Sequence, residues 1–152
     1  MSFNAQGDLF VATEQGYIDE FTPGGVESTF ASGLGLLYGV TFDTSGNMYV
    51  ASWGTQSILE FTPGGAESTF ASGLDGPVGI SFDSAGNLIV ANYSAEDVLS
   101  INPAGVATII DSGYYPGYSS GVDFGSAPSV PEPTSLALAG LGGLALLLRK
   151  RN

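Results

Sequence analysis

Short apolar runs alternate with clusters of Gly, Asn, Pro and Ser along most of the chain. Leu9-Phe10-Val11-Ala12, Met48-Tyr49-Val50-Ala51 and Leu88-Ile89-Val90-Ala91 are nearly continuous apolar stretches of strand length. A strand covered on both faces needs that pattern. Around the second of them, four β-prone runs follow one another at residues 38–43, 48–52, 57–62 and 66–72. The fourth is rich in Ser and Thr, as suits an outer edge. Gly46-Asn47 and Pro63-Gly64-Gly65 offer the positive-φ positions of tight hairpin turns, which predicts an antiparallel meander.

The unit repeats. Phe21-Thr22-Pro23-Gly24-Gly25 recurs 40 residues later as Phe61-Thr62-Pro63-Gly64-Gly65 and, more loosely, 40 residues after that as Ile101-Asn102-Pro103-Ala104-Gly105. Glu27-Ser28-Thr29-Phe30-Ala31-Ser32-Gly33-Leu34 returns letter for letter at residues 67–74. Phe42-Asp43-Thr44-Ser45-Gly46-Asn47 is matched by Phe82-Asp83-Ser84-Ala85-Gly86-Asn87 and, in the first copy, by Phe3-Asn4-Ala5-Gln6-Gly7-Asp8. A period of this size, with four short strands in each copy, predicts β-propeller blades. The fold class is therefore all-β: a partial propeller of about three four-stranded antiparallel blades, then a linker and one C-terminal hydrophobic helix. The blades run over about 1–37, 38–77 and 78–112, with a partial fourth at 113–125 that begins its first strand at Gly121-Val122-Asp123-Phe124.

Charge narrows the function. Asp and Glu total 15 and Lys and Arg 3, for a net charge of −12. All three cations are at Arg149, Lys150 and Arg151, so the body alone carries −12 − 3 = −15. A body without cations cannot neutralise phosphates, which argues against nucleic acid as a partner. The chain has no Cys and no His, which removes thiolate nucleophiles, Ser-His and Cys-His pairs, imidazole zinc sites and disulfides. Carboxylate, amide, hydroxyl and carbonyl chemistry remains.

Gly39-Val40-Thr41-Phe42-Asp43, Gly46-Asn47-Met48-Tyr49-Val50-Ala51 and Ile58-Leu59-Glu60-Phe61 resemble the NHL-type repeat and its relatives in six-bladed propellers, the gluconolactonase-like and virginiamycin-lyase-like groups. The resemblance covers roughly residues 3–125 and implies the fold. It leaves function open, because these groups include binding scaffolds and enzymes. The Asp usual in NHL repeats at the end of strand two is replaced by Thr13, Ser52 and Asn92. Three blades and a fraction do not close a ring. Either the chain is a piece of a longer product, or two copies associate as a homodimer that completes a six-bladed ring.

In a meander, the loops between strands two and three and the blade-to-blade connections share one rim. The turns of the other rim are nearly identical between copies and look too short and regular to shape a pocket. Diversity lies on the first rim, where Trp53, Gln56, Asn92, Tyr93 and Tyr115 are the candidate ligand-binding residues. Aromatic faces beside amides and acids suit polysaccharide, by stacking on a sugar ring and bonding its hydroxyls, or a cationic group. The alternative is that Trp53 and Tyr93 pack between blades. Glu14, Asp75, Asn92, Glu96 and Asp97 are candidate calcium ligands, since hard cations take carboxylate and carbonyl oxygens. Asp43 and Asp83 read more simply as Asx-type turns, and Glu20 and Glu60 as a solvated face.

After Phe124 come a Pro/Ser linker over 126–134 and a hydrophobic helix with a basic end over 135–152. The apolar run 136–148 would reach only roughly 20 Å as a helix, short of a full bilayer span. It nevertheless lacks a polar face and abuts the only cations, which predicts a cytoplasmic C-terminus and a body outside. Val130-Pro131-Glu132-Pro133, the apolar helix and Arg149-Lys150-Arg151, in that order, resemble the PEP-CTERM sorting signal of Gram-negative bacteria that make exopolysaccharide. The resemblance implies recognition by an exosortase-type membrane protease near Pro131 to Pro133, and placement in the cell envelope or on the outer surface. Residues 1–7 show no basic or apolar leader, so the reading frame is expected to begin upstream of Met1. Two functions follow: a surface-displayed, non-enzymatic binding module, or part of a gluconolactonase-like or virginiamycin-lyase-like hydrolase or lyase.

Overall fold

The computed structural model describes residues 1–113. They form twelve strands in three four-stranded antiparallel sheets, each a meander in chain order. The first sheet holds β1 (Ser2–Phe3), β2 (Leu9–Ala12), β3 (Ile18–Phe21) and β4 (Glu27–Ala31). The second holds β5 (Leu37–Phe42), β6 (Met48–Ser52), β7 (Ser57–Phe61) and β8 (Glu67–Ser72). The third holds β9 (Pro77–Phe82), β10 (Leu88–Asn92), β11 (Asp97–Ile101) and β12 (Ala107–Ser112). The expected linker, helix and fourth blade lie outside the described residues.

The continuous apolar runs occupy the second position of each sheet, and every residue of β6 and β10 is buried. The outermost strands carry the Ser, Thr and Glu side chains, and their first three residues are exposed in each blade. Neighbouring blades meet along their inner strands, β5 against β9 and β1 with β2 against β5. Gly39 is needed where β5 meets β9: a Cβ built there would lie 2.5 Å from the Val78 carbonyl oxygen. One core fills the first seam with Phe10, Ile18, Leu34, Val40, Met48, Val50 and Phe61 among others. A second fills the next with Tyr49, Ile58, Leu74, Ile80, Val90 and Ile101.

A bulge recurs at one place in every blade, where strand four pairs with strand three. Ile18 pairs with Ala31 but Asp19 with Thr29; Ile58 with Ala71 but Leu59 with Thr69; Val98 with Asp111 but Leu99 with Ile109. Phe30, Phe70 and Ile110 are the extra residues. A bulge re-aims the side chain it carries. Phe30 is turned into the first seam, 5.4 Å from Phe10 and 5.7 Å from Phe61, ring centre to ring centre. Phe70 is turned toward the second, 5.1 Å from Tyr49. Ile110, at the outer seam of the third blade, is 52% exposed.

The hairpins between the first two strands of each blade are closed by Gly7, Gly46 and Gly86, with φ of +88°, +86° and +83°. Their side-chain clamp is the expected Asx turn. One oxygen of Asp43 accepts the N–H groups of Ser45 and Asn47, and the other accepts the Asn47 amide at 2.8 Å. Asp83 repeats this with Ala85 and Asn87, and those hydrogen bonds, the Asn87 amide first, hold its carboxyl below the usual Asp range. In blade one the two residue types exchange places: Asn4 accepts the N–H groups of Gln6 and Asp8, and its amide donates to the Asp8 carboxylate at 2.9 Å. The same hydrogen bonds are made, with the negative charge moved four residues.

Candidate functional site

The rim that joins the blades is stitched together by backbone bonds. Leu34 N–H reaches Gly16 O, Gly54 N–H reaches Leu36 O, Leu74 N–H reaches Gln56 O, and Tyr93 N–H reaches Gly76 O at 2.8 Å. Each loop between strands two and three is thereby held against a blade-to-blade connection. In blade one the turn places Gly16 at φ +83°; its counterparts Gln56 and Glu96 take φ +54° and +55° without being glycine. Side-chain bonds offset that strain at Gln56. Its Nε2 donates to Trp53 O at 2.8 Å and its Oε1 accepts from Gly76 N–H at 2.6 Å. Gln56 thus fastens the second loop to the connection leading into the third blade.

Three aromatic rings cross this rim. The Trp53 ring centre lies 5.8 Å from that of Tyr38 and 5.8 Å from that of Tyr93. Its six-membered ring covers Gly76, where a Cβ would come within 2.8 Å of it. Trp53 is half-buried and Tyr93 is 42% exposed, so the cluster both packs across the blades and offers aromatic surface to solvent. Asn92 is 4% exposed, and its Oδ1 accepts the Asp75 N–H at 2.8 Å. Asp97 stands opposite Asn92 across the strand pair, and one of its carboxylate oxygens is enclosed with no hydrogen-bond partner among the described residues. Glu96 is in the same loop, while Glu14 is on the loop of blade one. Among the described residues no three acids converge as a metal cage would require. Tyr115 and the sorting residues Val130, Pro131, Glu132, Pro133, Arg149, Lys150 and Arg151 lie outside the described residues.

The opposite rim differs from the sequence reading in two respects. It does shape cavities, because the short turns stand at the mouths of the seams between blades. One cavity of about 540 Å³ opens between blades two and three and another of about 540 Å³ between blades one and two. Glu60, expected on a solvated face, is half-buried and accepts a 2.9 Å hydrogen bond from the Tyr49 hydroxyl. Burial, that bond and the Glu60 and Asp43 charges push the phenol up and keep it protonated. The signal was present in the chain, since Tyr49 and Glu60 are directly opposite across β6 and β7.

Comparison with known proteins bears on both ends of the chain. Residues 129–151 match the PEP-CTERM protein-sorting motif. The chain is an exported protein, sorted to the cell envelope, on a propeller scaffold. No curated protein sequence matches it. Among solved structures, virginiamycin B lyase from Staphylococcus aureus superposes with a TM-score of 0.64 at 17% identity, over 72% of this chain and 39% of the lyase. A luciferin-regenerating enzyme gives 0.66 at 16% identity, over 82% of this chain and 48% of the enzyme. A protein assigned as a gluconolactonase gives 0.60 at 18% identity, over 78% and 51%. These likenesses bear out the propeller fold. The chain spans about half or less of the length of each. Among the described residues no helix is long and apolar enough to cross a membrane.

Proposed function

We propose that this protein is a binding module displayed on the cell surface, with the loop rim as its ligand face and polysaccharide as its ligand class. The observation that carries the reading is the sorting motif at 129–151 behind a propeller body. The Tyr38, Trp53 and Tyr93 cluster supports the ligand class, because partly exposed rings beside Asp75, Glu96 and backbone carbonyls offer stacking and hydroxyl recognition on one surface. An exosortase-type protease recognises Val130-Pro131-Glu132-Pro133. The apolar run that follows anchors the precursor, with Arg149, Lys150 and Arg151 on the cytoplasmic side. Tyr93→Ala tests the rim. We expect about tenfold weaker retention on exopolysaccharide, in line with the loss of one stacking platform, and little change in melting temperature. Unchanged retention would remove the rim from the binding account.

Ring closure belongs to the same reading. Ile110 is 52% exposed at the free seam of blade three, and Phe3 is 66% exposed at that of blade one. The bulge residues Phe30 and Phe70 occupy seams that a following blade covers; Ile110 awaits the same cover. A second copy supplies it, three blades completing three. Light scattering on the full chain should return twice the 15.5 kDa chain mass. A stable, well-behaved monomer would refute the homodimer.

A further inference from the structure

We infer that the cavity between blades two and three, on the turn rim and remote from the loop rim, is a binding site for a small organic ammonium ion. Its walls are the aromatic rings of Phe42, Tyr49, Phe70 and Phe82, and its mouth carries the carboxylates of Asp43 and Asp83. The rings are fixed edge to face, Tyr49 being 5.1 Å from Phe70 and 5.0 Å from Phe82. Both carboxylates are already immobilised by their turns, so recruiting them costs little further ordering. Each accepts three N–H groups and keeps acceptor capacity to spare.

The chemistry of the walls selects the ligand. Of these six side chains only Tyr49 can donate a hydrogen bond, and its hydroxyl is spent on Glu60. Thr44 and Ser84 add two neutral hydroxyls that can donate or accept, but no cationic side chain lines the cavity to hold an anion. A protonated amine finds carboxylates for its N–H groups and ring faces for its charge and its apolar stem. No Lys, Arg or His of residues 1–148 competes for those carboxylates. The cavity between blades one and two is the built-in comparison. It has the same volume and an aromatic wall from Phe10, Phe30 and Phe42, but it carries one carboxylate, Glu20 on β3, in place of two, and the corresponding turn residue at its mouth is the neutral Asn4. The exchange of Asn and Asp within the blade-one turn removes the turn carboxylate from that mouth.

The same exchange gives a test that preserves fold and net charge. Asp83→Asn combined with Asn87→Asp rebuilds the blade-one turn in blade three and takes one of the two carboxylates away from the cavity lining, leaving Asp43. The full chain is titrated with n-butylammonium, and with 1-butanol as the uncharged isostere, at fixed ionic strength. Backbone NMR signals are followed at Thr44, Ser84 and Gly86. Saturable shifts at those residues with butylammonium and none with butanol are expected, together with about fivefold weaker binding in the double variant. Thr44→Lys, at an exposed position on the cavity lining, places a tethered ammonium at the mouth and is expected to abolish the response. Equal shifts with butanol, unchanged affinity in the double variant, or non-saturating shifts spread to Glu27 and Glu67 would each overturn the assignment, the last showing diffuse attraction to an acidic surface.

Discussion

Phe61→Ala is expected to cost about 3–5 kcal/mol of unfolding free energy, the range for removing a buried aromatic ring from a packed core. Phe61 is 2% exposed and ends β7, yet its neighbours belong to two blades. The same core contains Phe10, Ile18 and Leu34 from the first repeat and Val40, Met48 and Val50 from the second, and Phe30 stands edge-on to Phe61. The cavity left by alanine would therefore open at the seam between blades and loosen their docking. It would not be confined within one sheet. Phe61→Leu, which keeps most of the volume, should lose markedly less. Urea unfolding followed by tryptophan fluorescence checks the magnitude, because Trp53 bridges to the third blade and reports on the body as a unit. A loss under 1 kcal/mol in the alanine variant would show that the blades do not share this core.

Gly16→Ala is expected to cost about 2–5 kcal/mol, combining two penalties that the structure separates. Gly16 has φ +83°, and a Cβ there would lie 2.6 Å from the carbonyl oxygen and 2.8 Å from the nitrogen of Gly35. Both atoms are backbone, so nothing can rotate aside. Gly25 is the control. Its φ is +77° and nothing lies within 4 Å of its added Cβ, so Gly25→Ala should pay only the conformational part, about 1–2 kcal/mol. The difference between the two measures how tightly the first loop is pressed against the connection to the second blade. Equal losses would mean that the contact is soft.

Much of the architecture was legible because it is encoded locally. The continuous apolar runs marked the buried strands, and the Gly-Asn and Pro-Gly-Gly turns fixed their hairpins. The period of 40 residues then set the blade count. The Asx turns at Asp43 and Asp83 could be read from four-residue spacing alone. Relations across the seams could not. Which ring meets which is decided by how one blade sits on the next and by the bulge that turns Phe30 and Phe70. A repeat states the content of a blade but carries no information on its angle to the neighbour. For that reason the turn rim looked featureless in the sequence, although its turns stand over two cavities. It is also why Gln56, read as a ligand residue, is found with its amide joined to Trp53 and Gly76.

The charge division acquires a spatial meaning from the fold. The described residues form an acidic propeller body, and every Lys and Arg falls at 149–151, within the segment that matches the sorting motif. Removal of residues 129–151 would take away all three cations and Glu132, leaving a body of −14 with no compensating side chain.

Localisation of the chain with and without its motif tests the central proposal most directly. The full sequence, fused behind a secretory signal peptide in a host that has an exosortase, should accumulate at the cell envelope or outside it. Its mass should fall by at least the basic end containing Arg149, Lys150 and Arg151. The same fusion lacking residues 129–151 should show neither the mass change nor the envelope enrichment. An identical distribution and intact mass for the two chains would contradict a surface-sorted binding module.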